Sequence, residues 1–337
     1  MTRRERVRNA LLFQDTDIVP YAVTFTRAAE EKLAAHYGDP GFHSRIGDHL
    51  SRFSHRKRAP WTTLEPGFER DEWGVIWNRT VDKDIGVASN RVVSERSVGG
   101  LDLPDPRAWG LDVAYREWIG ANEEVFRIES VGFSLFERAW ALRGMEQLLI
   151  DMVESPGFVE ELFDAIVEVN MRHLEVALVQ DIDCVLFGDD WGSQTGLIMG
   201  PGVWRELIKP RVAKMYARVR EAGKFVAIQS CGDVRAILPD LVEVGLNLFN
   251  PFQPEVMTPE ETKEAYRGKL AFYGGISVQN LLPHGTPDEV RRETKRLLET
   301  LGKGGGYIAS PSHDVPSDVP AENMAAMIEA MMGQGEG

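Results

Sequence analysis

Several short polar clusters in the second half of the chain carry side chains that could do chemistry. Each cluster follows a short apolar run, and together they supply carboxylates, a thiol, an imidazole and amides. They span residues 188–192, 229–233, 250–254, 274–277 and 310–314. Glu137 and Arg138 follow a further apolar stretch in the first half. Because the carboxyl ends of parallel strands open on one side of a barrel, we expect these side chains to converge on one mouth.

Each candidate side chain also has a purely structural interpretation. Asp189 and Asp190 could cap a turn or a helix, since Asp-Asp-x-Gly is also ordinary turn chemistry. Cys231 could be a small buried residue, although its place after a strand favours a reactive role. His313 could be a hydrogen-bonded loop histidine. The residues alone leave these alternatives open.

Alternating strand and helix patterns position the clusters. Nearly continuous apolar runs, typical of strands covered on both faces, occur at 183–187, 225–228, 246–249, 270–273 and 307–309. Thr258 and Thr286, each followed by proline, predict capping boxes at the start of two helices. Such βα units suit either a doubly wound sheet or a (β/α)8 barrel. The lack of a linker favours one barrel domain over residues 1–337.

The first half of the chain is less regular. It predicts helices over 1–13 and 28–37 and strands over 18–25 and 125–136. Residues 38–124 hold five of the eight tryptophans and the basic run 52–58, and we interpret this range as an insertion or lid. A typical barrel needs about 250 residues, which leaves room for such an addition. The predicted fold is therefore a (β/α)8 TIM barrel with an elaborated N-terminal insertion or lid.

The composition excludes several classes of partner. The chain has 38 Lys and Arg residues against 52 Asp and Glu residues, a formal net charge of -14, whereas binders of nucleic acid or membrane surfaces need concentrated positive charge. No run approaches the ~18 apolar residues of a membrane span. Two cysteines cannot make a disulfide framework, and the charged N-terminus lacks the apolar core of a signal peptide. We expect a cytoplasmic protein that acts on a small molecule.

Five stretches of the sequence carry a family resemblance. They read VGFSLFERAWALRG (131–144), FGDDWGSQTGLIMGP (187–201), FVAIQSCGDVRAILPDLVEVGLNLFNPFQP (225–254), LAFYGGISVQNLLPHGTP (270–287) and GGYIASPSHDVPSDVPAENMAAMIEA (305–330). In this order they resemble the uroporphyrinogen decarboxylase superfamily of (β/α)8 barrels. The resemblance implies either the decarboxylase of haem biosynthesis or a corrinoid-dependent methyltransferase.

The decarboxylase branch matches this sequence less well. Its RQAGRY motif follows the first strand and supplies arginines to substrate carboxylates, but residues 21–30 here read YAVTFTRAAE, with Arg27 alone. Trp140 stands where the resemblance implies a pocket tyrosine, whereas His313 matches the family's C-terminal histidine. Because few side chains replace paired guanidinium groups as partners for carboxylates, the sequence favours the methyltransferase branch.

The methyltransferase branch implies zinc and a corrinoid methyl carrier. Its members carry His-x-Cys after one strand and another cysteine after the last strand. This sequence has Gln229 and Cys231 at the first place and His313 or Ser310 at the second. The resemblance therefore implies zinc held by Cys231 and His313 with a carboxylate ligand, and a corrinoid cofactor or corrinoid protein as partner.

Under this interpretation the predicted catalytic residues are Glu137, Asp190 and His313. The predicted substrate contacts are Arg27, Arg138, Trp140, Asp189, Gln229, Asn250 and Gln253. Two alternatives remain: uroporphyrinogen decarboxylation without a metal, and a non-catalytic barrel that binds a tetrapyrrole or corrinoid. The chain could form a homodimer, although no patch in the sequence indicates one.

Overall fold

Seven parallel strands form a single sheet and pair in the order in which they occur along the chain. The computed structural model describes residues 1–54 and 58–335, so residues 55–57 of the predicted basic run lie outside the described residues. The strands are Leu50–Ser54, Phe126–Val131, Cys184–Gly188, Phe225–Gln229, Leu248–Phe252, Ala271–Ile276 and Tyr307–Pro311. Four of the five apolar runs predicted as strands begin within one residue of the observed strand, and the run at 246–249 begins two residues early.

The segment around Tyr21 closes this sheet into a barrel. Tyr21 forms a parallel bridge with Ala309, and the Ala309 N–H donates to the Pro20 carbonyl oxygen at 2.8 Å. On its other side, the Tyr21 carbonyl accepts from the His49 N–H at 2.9 Å. The segment therefore takes the place of an eighth strand between the last and first strands of the sheet, and the predicted (β/α)8 barrel is confirmed.

Helices connect the strands on the outside of the barrel. The α-helices are Arg3–Leu11, Arg27–Tyr37, His43–Ile46, Leu111–Ala121, Phe136–Arg143, Met145–Glu154, Pro156–Ala177, Gly200–Val203, Lys209–Glu221, Leu238–Glu243, Pro259–Ala265, Leu281–His284, Pro287–Leu301 and Ala321–Met332. Thr286 forms the predicted capping box, whereas Thr258 precedes its helix without a side-chain capping bond, so that prediction is wrong. Across residues 1–54 and 58–335, no helix is long and apolar enough to cross a membrane.

Two apolar layers hold the barrel together. The larger layer lies between the sheet and the outer helices. The smaller layer fills the barrel interior with residues from successive strands, including Leu50, Ile128, Leu186 and Tyr273. Val7 of the first helix packs into the same interior layer. The interior is therefore a packed core, as is typical of TIM barrels, and leaves the strand ends to form a site.

The inserted structure is smaller than predicted. A four-stranded antiparallel sheet, Thr62–Glu65, Phe68–Arg70, Ile76–Asn78 and Val87–Ala88, occupies only part of the range 38–124. That range also contains the barrel strand Leu50–Ser54 and the helix Leu111–Ala121. The boundary was misplaced because the strand reads LSRFS and lacks the continuous apolar pattern of the later strands. That the inserted sheet acts as a lid stays a prediction.

Candidate active site

A small cavity of about 60 Å³ lies where the strands end on their carboxyl side. It is lined by Thr24, Arg52, Gln229, Asn250, Pro251, Tyr273, Ser310, Pro311, His313 and Asp314. Three of the predicted site residues, Gln229, Asn250 and His313, therefore meet at one cavity. Asn250 is buried and donates to the Tyr273 carbonyl oxygen at 3.0 Å, whereas His313 is exposed at the rim. The convergence expected from the strand ends is present.

The loop that carries Cys231 is held by two side chains predicted to belong to the site. The Cys231 N–H donates to Asp190 Oδ1 at 2.9 Å, and the Gly232 N–H donates to Gln253 Oε1 at 2.7 Å. Gly232 has a φ of +81°, and a Cβ there would lie 2.5 Å from the backbone carbon of Gly192. Only glycine allows this close approach of two mouth loops.

Negative charge surrounds the half-buried Cys231 thiol. Burial is the largest cause that raises its pKa, followed by the charge of Asp190 and a hydrogen bond with that carboxylate. The charges of Glu137 and Asp314 raise the pKa of the thiol further. Desolvation and nearby anions both disfavour a thiolate, so Cys231 is a protonated thiol at neutral pH.

Asp189 serves as a helix cap and does not face the mouth. Its side chain is fully buried and accepts hydrogen bonds from the N–H groups of Leu135, Phe136 and Glu137 at 3.3, 3.0 and 2.8 Å. Trp191 Nε1 also donates to it, at 2.6 Å. Burial raises the pKa of Asp189 to about 6. With its oxygens occupied, Asp189 positions the helix that begins at Phe136, and the predicted substrate contact is not what the structure shows.

Arg138 likewise has a structural role. Its guanidinium is 2% exposed and pairs with Asp71 Oδ2 at 2.6 Å, and it lies 5.4 Å from the centre of the Trp73 ring. The pair joins the helix Phe136–Arg143 to the inserted segment, so this guanidinium is not free to bind substrate. The predicted substrate contact is corrected because a buried carboxylate already neutralises the arginine.

Two further predicted contacts lie away from the cavity lining. The Arg27 side chain is 87% exposed and pairs with Glu31 at 3.0 Å, one turn along its own helix. Trp140 packs edge-on against Phe136, with ring centres 5.4 Å apart. Neither side chain lines the small cavity. The prediction for Arg27 relied on its place after the first strand, but its side chain turns to solvent.

Nothing in the structure tests the predicted zinc site directly. Among the residues that the structure describes, no three His, Cys, Asp or Glu side chains form a group that could hold a metal ion. Zinc held by Cys231, His313 and a carboxylate therefore stays a prediction, and we derive no chemical step from it.

Three described residues of the cavity lie outside the predicted clusters: Thr24, Arg52 and Tyr273. Arg52 lies in the strand Leu50–Ser54, with its guanidinium carbon 5.4 Å from the centre of the Tyr273 ring. The sequence signal was an arginine within the basic run 52–58, which we had assigned to the insertion. Tyr273 looked like part of an apolar strand, and its hydroxyl gave no separate signal.

A closed parallel barrel with polar side chains gathered at the strand ends defines a (β/α)8-barrel protein with its site at the mouth. The family model for uroporphyrinogen decarboxylase (URO-D) matches residues 133–333. The chain therefore belongs to the uroporphyrinogen decarboxylase family.

Similar proteins extend this comparison. The uroporphyrinogen decarboxylase of Thermus thermophilus is 25% identical over 169 residues, which cover 50% of this chain and 46% of that protein. The enzyme of the same name from Methylococcus capsulatus is 22% identical over 181 residues, 53% of this chain and 50% of that protein. The chain thus matches about half the length of these relatives. A methyltransferase structure from Methanosarcina mazei covers 98% of both chains, with a TM-score of 0.74 and 19% identity, which shows a shared fold.

Proposed function

We propose that this protein is a methyltransferase or demethylase that moves a methyl group between a corrinoid carrier and a small substrate at the barrel mouth. Methyl transfer is the activity named for a solved structure that covers 98% of this chain. The family itself includes enzymes of two kinds, so the proposal depends on the size and charge of this particular mouth.

The observation that carries the proposal is the small cavity in which Arg52 is the one arginine among the described lining residues. Its volume is about 60 Å³, well below the roughly 300–1,000 Å³ of pockets that enclose a drug-sized ligand. Arg138 is occupied by Asp71, and Arg27 turns to solvent. A polycarboxylated porphyrinogen would need a wide cleft with several guanidinium partners, whereas methyl transfer requires only that the small substrate enter the cavity while the corrinoid ring stays outside it.

The carboxylates around Cys231 are suited to manage a proton during methyl transfer. A corrinoid carrier would supply the methyl group as a cation equivalent, and an acceptor thiol, amine or hydroxyl then loses a proton. Asp190 interacts with the Cys231 side chain and backbone, and Glu137 lies close enough to influence the same thiol. We assign Asp190 and Glu137 as the groups that accept or return this proton.

Uroporphyrinogen decarboxylation is the second candidate, because the relatives found by sequence carry that name. In that reaction His313 and the mouth carboxylates would handle protons at a pyrrole ring. The third alternative, a non-catalytic barrel, would bind a tetrapyrrole or corrinoid without turnover.

Parallel assays separate these candidates. In one, the purified protein is incubated with methylcobalamin and a panel of small thiols and carboxylic acids, and demethylation is followed by absorbance. In the other, it receives uroporphyrinogen, and loss of carboxyl groups is followed by chromatography. We expect demethylation of the corrinoid and no change in uroporphyrinogen. Stepwise loss of acetate carboxyls would overturn the proposal, and binding of either compound without turnover would support the non-catalytic alternative.

A further inference from the structure

Arg52 places a positive charge at the floor of the barrel mouth. In the parallel register it lies opposite Ile128, and it is two residues after Leu50 on the same strand, so it shares their side of the sheet. Leu50, Ile128 and Tyr273 all belong to the interior core layer. The Arg52 side chain therefore extends from the top of this layer into the cavity that it lines.

This guanidinium has no carboxylate partner among the described residues. No Asp or Glu oxygen within residues 1–54 and 58–335 approaches it within 4.0 Å in an ion pair, in contrast to Arg138 with Asp71 at 2.6 Å. Asp48 lies in the wall of an adjoining cavity that Arg52 also lines. Its oxygens, however, accept from the Val23 N–H at 3.0 Å and contact His43 Nε2 at 3.1 Å. A half-buried cation without a counterion costs free energy that an anionic ligand would recover.

The groups around Arg52 suit a carboxylate. The buried Tyr273 hydroxyl lies beside both Arg52 and Ser310 and interacts with each of them. A guanidinium offers two parallel donors to one planar carboxylate, and hydroxyl groups can complete its hydrogen bonds. One cation neutralises one carboxylate, whereas a phosphate dianion would need a second. Among the residues that the structure describes, the cavity lining contains no lysine and no other arginine.

We propose that Arg52, with the hydroxyl groups of Tyr273 and Ser310, binds a carboxylate group of the substrate at the barrel axis. The substrates are then small carboxylic acids, whose remaining atoms extend toward the rim residues His313 and Asp314 of the same cavity. This proposal rests on the proposed function for the location of the substrate site at the barrel mouth, but it concerns substrate binding and not methyl transfer. It is tested without turnover, so its failure and the failure of methyl transfer are distinguishable.

The test is equilibrium binding of propionate, observed by NMR line broadening of a ¹³C-labelled carboxylate. Propionamide serves as the uncharged isostere and inorganic phosphate as a competing anion. We expect saturable binding of propionate to the wild-type protein. Arg52→Gln should weaken this binding by about tenfold or more. Tyr273→Phe should weaken it less, and Arg52→Lys should retain part of the affinity. The control Arg45→Gln removes a 63% exposed arginine paired with Asp39 and leaves binding unchanged.

Three results would overturn the proposal: no saturable binding to the wild-type protein, equal affinity in folded Arg52→Gln, or equal affinity for propionamide. Phosphate binding as tight as propionate binding would overturn the carboxylate assignment. Circular dichroism establishes that each variant is folded. If Arg52→Gln does not fold, the propionate affinities of Tyr273→Phe and Arg52→Lys test the proposal, because both substitutions change the hydrogen bonds of the site with little change in its volume.

Discussion

The Glu137 N–H donates a 2.8 Å hydrogen bond to Asp189 Oδ1. The fully buried Asp189 carboxylate therefore positions the half-buried residue Glu137. Asp189 follows the strand Cys184–Gly188, and Glu137 is the second residue of the helix Phe136–Arg143. The bond links the ends of two neighbouring barrel strands through a helix N-terminus. Glu137 in turn influences Cys231 on the next mouth loop. The position of the Glu137 carboxylate thus depends on Asp189.

Asp189→Asn should destabilise the protein at neutral pH by about 1–3 kcal/mol, because a carboxylate oxygen that accepts from Phe136 and Trp191 is lost. The free energy of unfolding in urea at pH 7 measures this loss. Asp318→Asn is the matched control, since Asp318 is exposed and its substitution should change the free energy by less than about 0.5 kcal/mol. A loss equal to that of the control would contradict the capping role.

The same carboxyl group predicts a pH dependence of stability. Burial raises the Asp189 pKa from 3.8 to about 6. The folded protein therefore retains a proton that the unfolded chain releases at lower pH, and the stability associated with this proton is lost as pH rises through 6. Between pH 4 and 6.5, the free energy of unfolding of the wild type should fall relative to that of Asp189→Asn, so that the stability difference between the two proteins is larger at pH 4 than at pH 7. A difference that is constant or increases over this interval would show that the folded-state pKa is not raised.

Cys231 should react slowly with iodoacetamide at neutral pH, because burial and neighbouring carboxylates raise its pKa. Asp190→Asn removes the largest of these charges, and each pKa unit recovered increases the thiolate fraction by about tenfold. The alkylation rate of Cys231 between pH 7 and 9, read by mass spectrometry, is therefore expected to increase. Cys184 is fully buried and serves as an internal reference in the same digest.

Asp233→Asn is the control for this experiment. Asp233 lies on the same loop but pairs with Arg235 at 2.7 Å, and it is not among the charges that raise the Cys231 pKa. Its substitution should leave the alkylation rate within about twofold of wild type. Equal acceleration by both variants would indicate loosening of the loop in place of an electrostatic effect.

Arg138→Ala should cost about 3–5 kcal/mol, because it leaves the buried carboxylate of Asp71 without its cation. Asp71 also accepts from Trp77 Nε1 at 2.9 Å, so the inserted sheet loses one of its attachments to the barrel. Limited proteolysis should then cleave within residues 62–88 before the barrel strands. Arg107→Ala, which removes a half-exposed arginine, is the control. Cleavage in the barrel first, or a cost below about 1 kcal/mol, would contradict this role.

Six of the seven sheet strands and the convergence at the mouth were predictable from the sequence, because continuous apolar runs and the polarity of parallel strands are local signals. Arg138 and Asp189 were misassigned because their partners are remote in sequence: Asp71 lies 67 residues from Arg138, and Phe136 lies 53 from Asp189. Arg52 was missed because its strand, LSRFS, has three polar residues among five and lacks a continuous apolar run. That Arg52 lies on a barrel strand and lines the cavity is therefore known from the fold and not from the sequence pattern.

The most direct test of the account is transfer of an isotopic label at the mouth. Methylcobalamin with a ¹³C methyl group is incubated with the protein and small carboxylic acid and thiol acceptors, and the label is followed by NMR. We predict that the ¹³C signal moves from cobalamin to a small acceptor, and that Asp190→Asn slows this transfer at least about tenfold while Asp233→Asn does not. A label that stays on cobalamin with every acceptor, while the same protein removes carboxyl groups from uroporphyrinogen, would contradict the account.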